Sequence, residues 1–83
     1  QVDWAPNGRF IVSRHEDRPG VVGRLGTILG DSDINIASMQ VGRDAPRGRA
    51  MMIVTVDEPV GEAVLERLRS VPGMSDLRYV ELG

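Results

Sequence analysis

The sequence predicts an α+β fold of ferredoxin-like type, in which a βαββαβ order builds a four-stranded antiparallel sheet with two helices on one face. Two apolar stripes of helical period are interleaved with four short segments that alternate or run continuously apolar. A strand-and-turn pattern also repeats: Ile11-Val12-Ser13 followed by Asp17-x-Pro19 is echoed by Ile53-Val54-Thr55 followed by Asp57-x-Pro59, each ahead of a helix. A length of 83 residues holds one such domain at most, close to the size at which a single core only just supports a fold.

Residues 1–8, with the turn-forming cluster Pro6-Asn7-Gly8, read as the end of a linker from a preceding domain, which leaves 9–83 as the folded unit. Trp4 is expected to pack against an exposed edge of the core, with the filling of an interface as the alternative. Arg9 to His15 is the first strand, with Phe10 and Val12 on one side and Ile11 and Ser13 on the other. From Pro19 to Asp31, the residues Val21, Val22, Leu25, Ile28 and Leu29 share one helical face. Gly20 and Gly23 let the helix start or a ligand approach the backbone, and Gly30 fits a C-terminal cap. Ile34 to Gly42 alternates Ile34, Ile36, Ser38 and Gln40 against Asn35, Ala37, Met39 and Val41, a second strand. Arg43 to Arg49 is a hairpin loop bent by Pro46 and Gly48, its arginines facing water. Ala50 to Val56, the most apolar run, suits a central strand. Asp57-Glu58-Pro59 opens a second helix with Val60, Val64, Leu65, Leu68 and Val71 as its buried stripe; Pro72-Gly73 stops it, and Met74 to Leu82 supplies the last strand.

Composition narrows the function. A formal charge of −2 and one each of Trp, Tyr and Phe give neither a basic field nor a stacking surface for nucleic acid. Gly20-Val-Val-Gly23 has only Arg18 and Arg24 as basic neighbours, too few for a KH-like RNA loop. Without cysteine there is no thiolate metal site or cysteine nucleophile, and without lysine no Walker motif. A lone histidine with no converging acid–base partner gives no catalytic centre, so no cofactor is expected in this domain. No apolar run approaches the roughly 18–20 residues that span a bilayer, and Gln-Val-Asp-Trp carries no signal pattern, so a cytoplasmic address is the default. A first residue that is Gln rather than Met reads as a piece of something longer.

The stretch His15 to Asn35 organises the rest. Its turn puts the first amides of a helix beside His15 and Asp17, and such amides attract a small anion such as a carboxylate. The plainer alternative is that Asp17 caps the helix, Pro19 sits in its first turn and His15 is a polar strand end. An open sheet edge on so small a domain also favours self-association through the second strand.

The runs R-H-x-D-R-P-G-V-V-G-x-x-G-T-I-L-G, I-N-I-A-S-M-Q-V-G-R and M-I-V-T-V-D-E-P-V, spread over Gly8 to Leu82, resemble the ACT domains, in particular the C-terminal regulatory ACT domain of D-3-phosphoglycerate dehydrogenases. That resemblance implies a non-catalytic amino-acid sensor of serine biosynthesis. Two copies join their sheets through strand two as a homodimer, L-serine binds at the seam, and NAD belongs to the parent enzyme. The ligand residues it implies fall on His15 and Asp17, with Gly20 beside them and Asn35 from the opposite subunit. The best-characterised serine sensors carry Asn where this chain has Asp17, so the hydrogen-bond pattern around the ligand differs here. The ACT domain of the iron–sulfur L-serine dehydratase β subunit shares I-N-I-A-x-M-x-V, although V-G-R and G-T-I-L-G favour the dehydrogenase. A ligand-free dimerisation module is the third alternative.

Overall fold

The computed structural model describes residues 8–43 and 45–83. They form β1 (Gly8–Glu16), α1 (Val21–Asp31), β2 (Ile36–Arg43), β3 (Arg49–Val56), α2 (Glu62–Arg69) and β4 (Met74–Leu82). All strand pairs are antiparallel and the sheet order is β2-β3-β1-β4, which is the ferredoxin-like arrangement expected. The expectations for Trp4 and most of the 1–8 linker fall outside the described residues. No described helix is long and apolar enough to cross a membrane.

Strand alternation divides the sheet into two unlike faces. Ile11 of β1, Met52, Val54 and Val56 of β3 and Leu77 of β4 are buried against Leu25 and Leu29 of α1 and Leu65 and Leu68 of α2. Each fully buried Leu contributes about 1.5–3 kcal/mol, so these few side chains supply much of the folding free energy. The opposite face carries Met51, Ile53 and Val80 in the open.

Five local expectations are corrected. α1 begins at Val21 with Gly20, φ +94°, as its N-cap and no side-chain cap, so Asp17 does not cap it and Pro19 lies ahead of it. Gly30 is inside the helix; the left-handed residue after its end is Asp33, φ +58°. α2 begins at Glu62, not at Asp57, because Asp57 and Glu58 are engaged by Asn35. Arg43 ends β2 and Arg49 opens β3, so neither lies in the hairpin loop.

The fifth correction concerns β2. Ile36 lies opposite Val56 but Ser38 lies opposite Thr55, which makes Ala37 an extra residue, a β-bulge. Beyond it Met39 pairs with Val54, Val41 with Met52 and Arg43 with Ala50. Directly opposed residues share a sheet face, so Ile36, Met39, Val41 and Arg43 all project to the helix side, against the strict alternation expected. Val41 nevertheless stays 48% exposed, since β2 is an edge strand.

Candidate ligand site at the β1–α1 junction

Register places Arg43, Ala50, His15 and Met74 in one row across the sheet. Ala50 contributes only a methyl group between Arg43 and His15. His15 is 2% exposed, and its Nδ1 has no hydrogen-bond partner among the described residues; Ser13 Oγ, one step along the same face, is equally alone. A buried polar atom left unsatisfied costs about 1–3 kcal/mol, so this junction holds unused hydrogen-bonding capacity.

The backbone after β1 is pinned on both sides. Glu16 N donates to Gly73 O (2.9 Å) and Asp17 N to Gly48 O (2.8 Å). Gly73 sits at φ +97°, and a Cβ there would lie 3.0 Å from Val21 Cγ2, so the α2–β4 turn needs a glycine to pass so near α1. One oxygen of Asp17, Oδ2, accepts from Arg43 Nη1 and from the Arg47 amide, both at 3.0 Å. The Arg47 amide first, and then the Arg43 guanidinium, hold the Asp17 carboxyl below its usual range. Arg47 makes this contact from a left-handed conformation, φ +64°.

The N-terminus of α1 is bare. No acidic residue occupies its first turn, and the first backbone bond is Arg24 N to Gly20 O, so the amides of Val21, Val22 and Gly23 have no acceptor among the described residues. Gly20 acts through its backbone: a Cβ would meet nothing within 4 Å, but its φ is one that L side chains rarely adopt. Gly20 also heads a cleft of about 550 Å³ between α1 and α2, whose lining includes Gly23, Arg24, Arg67 and Val71 but not His15, Asp17 or Asn35.

Asn35 is elsewhere. Its Nδ2 donates to Asp57 Oδ2 and its amide to Glu58 Oε1, both at 2.7 Å, while its carbonyl accepts from Asp57 N. The neighbouring row holds Ile36, Val56 and Arg9, six residues along β1 from His15, or about 20 Å at 3.3–3.4 Å per residue. Within one chain, then, His15 and Asp17 lie at the end of β1, Gly20 starts α1 and opens on the α1–α2 cleft, and Asn35 stands apart from all three. Arg43 and Arg47 join the site unannounced. The signal available was the position of Arg43 at the end of an apolar strand, which the bulge at Ala37 turns toward Asp17.

Residues 9–73 match the ACT domain family. This chain is an ACT domain. It is 48% identical to D-3-phosphoglycerate dehydrogenase of Archaeoglobus fulgidus over 83 residues, covering 98% of this chain and 16% of that protein. To the enzyme of the same name from Methanocaldococcus jannaschii it is 42% identical over 82 residues, covering 99% of this chain and 16% of that protein. The ACT domain thus spans about 16% of the length of these relatives. Among solved structures it superposes on a homoserine dehydrogenase from Thiobacillus denitrificans with a TM-score of 0.75 at 18% identity, over 93% of this chain and 17% of that one. At that identity the likeness is one of fold.

Proposed function

We propose that this ACT domain is the regulatory amino-acid sensor of a D-3-phosphoglycerate dehydrogenase, binding L-serine at a seam between two copies paired along β2. The observation that carries this reading is His15, buried with Nδ1 unpartnered among the described residues, near Asp17 and the uncapped start of α1. An amino acid presents the matching groups. Its carboxylate suits His15 and the helix amides, its ammonium suits the acceptor-only Asp17, and its hydroxyl suits a side-chain amide. NAD would be held by the parent enzyme, outside this chain.

Asn35 enters through symmetry. β2 is an edge strand, with outer backbone groups open to a further strand. Antiparallel pairing of two copies about the middle of β2 sets Ile36 of one against Arg43 of the other. Asn35 of the second copy then arrives next to Arg43, and so next to Asp17. Because the ligand bridges both chains, binding tightens the dimer, a route by which occupancy reaches an attached enzyme. A ligand-free dimerisation module is the second reading, favoured by the engagement of Asn35 with Asp57 and Glu58 of its own chain.

Thermal unfolding with L-serine or glycine separates the two. At a hundred times its dissociation constant a ligand adds about 2.7 kcal/mol, which raises the midpoint of so small a domain by roughly 10–20 °C. Asn35→Ala lowers the starting midpoint, since it removes a bond to Asp57, and should also erase most of the ligand-induced rise. No rise with either amino acid, or a full rise in Asn35→Ala, rejects the seam site.

A further inference from the structure

The amino-acid reading accounts for Asp17 as a partner for an ammonium group, yet Asp17 is already engaged. Both donors to Oδ2 stand at 3.0 Å, and they differ in kind. The Arg47 amide is main chain, fixed in a loop that is itself closed by Gly48 N to Ala45 O and tied to Asp17 N through Gly48 O. The Arg43 guanidinium is the tip of a flexible side chain that is 56% exposed, against 25% for Asp17. Of the two, only Arg43 can leave without moving backbone.

We propose that Arg43 is a built-in competitor for the ligand: its guanidinium occupies, on Asp17, the place taken by the ammonium group of a bound amino acid. Ligand entry exchanges one cation for another on the same carboxylate. An ammonium placed on the second oxygen of Asp17 instead would lie within a few ångströms of the guanidinium, so the two cations would share one negative charge and each would be held less firmly. The released Arg43 lies at the end of β2, at the outer edge of the sheet and on the helix side. Occupancy therefore delivers a free positive charge to the edge strand through which two copies meet. Arg43 both lowers affinity and carries the message from site to seam. The competitor role rests on the amino-acid-sensing reading.

Calorimetric titration of the 83-residue chain with L-serine tests it, with circular dichroism to verify the fold of each variant. Arg43→Gln should bind about two- to fivefold more tightly than the unmutated chain, the range expected for removing a partly exposed ion pair. Arg43→Lys keeps a competing charge and should stay close to the unmutated value. Binding that is unchanged or weakened in Arg43→Gln, while the unmutated chain binds, overturns the competitor and leaves the sensor reading standing. Binding seen only in Arg43→Gln supports both. Binding in neither rejects the sensor reading and the competitor with it.

Discussion

The two strand-to-helix junctions start from nearly the same residues, Asp17-x-Pro19 and Asp57-x-Pro59, and end in different surroundings. At the second, Asp57 and Glu58 take up Asn35, Val60 N donates to Tyr79 Oη at 3.3 Å, and α2 starts from Gly61 in an extended conformation. Its first turn holds Glu62 and its last turn Arg67 and Arg69, charges that complement the helix dipole. Arg69 is further held by Glu62 and Glu66, which keep its guanidinium more firmly protonated than usual. At the first junction α1 has neither an acidic first turn nor a basic last one, and His15 Nδ1, at the end of β1, has no hydrogen-bond partner among the described residues; the opening amides of both helices lack a side-chain cap. A repeated motif thus sets a helix a few residues after it, without a side-chain cap in either case, but does not fix the charges and polar groups around the junction. Residues from elsewhere in the chain decide those, and the junction whose buried histidine has no partner among the described residues is the one suited to a ligand.

The largest effect that tests this contrast is expected from Gly20→Ala. Gly20 holds φ +94° in open space, so the loss should be backbone strain alone, about 1–2 kcal/mol, or a midpoint lower by roughly 4–16 °C. An unchanged midpoint would mean that the first junction does not need its left-handed start. A smaller effect follows from acid. The folded Asp17 carboxyl sits below its ordinary value of 3.8, so its contribution is complete above that pH and is lost as pH falls through the lower folded value. Asp17→Asn should weaken the chain at pH 7 and make little difference well below the folded value, where the carboxyl is protonated in both states. Urea titrations at neutral and acid pH will show whether the gap closes. The smallest effect is expected from Gly61→Ser. Gly61 is already extended, at φ −76°, and lacks a capping side chain, so a hydroxyl there should gain a few tenths of a kcal/mol. A loss instead would show that the second junction is not open to ordinary capping.

Periodicity and turn residues were enough for the βαββαβ order, for β4 to the residue, and for Val21, Leu25, Leu29, Leu65 and Leu68 as inward positions. Each depends on neighbours a few residues away, which is where sequence patterns carry information. Asp17 is different: its partners lie 26 and 30 residues ahead, so local preference pointed to a helix cap instead. The same holds for Asn35, whose carboxylate partners are 22 and 23 residues distant. The inward turn of Arg43 was hidden by Ala37, a residue with no turn signature whose extra position reverses the phase of everything after it.

That bulge has a counterpart on the other edge strand. β4 slips against β1 between Arg14 and His15, leaving Ser75 as the extra residue, with its hydroxyl donating to Arg14 O. Both exposed edges of the sheet are therefore interrupted once. A long, flat polypeptide laid along either of them loses its ladder after a short run, Ser38 to Arg43 on one side or Asp76 to Leu82 on the other. Each edge leaves room for a short strand only, which makes the sheet a poor template for open-ended growth. The two interrupted edges therefore work against open-ended strand addition next to a face that leaves Met51, Ile53 and Val80 uncovered.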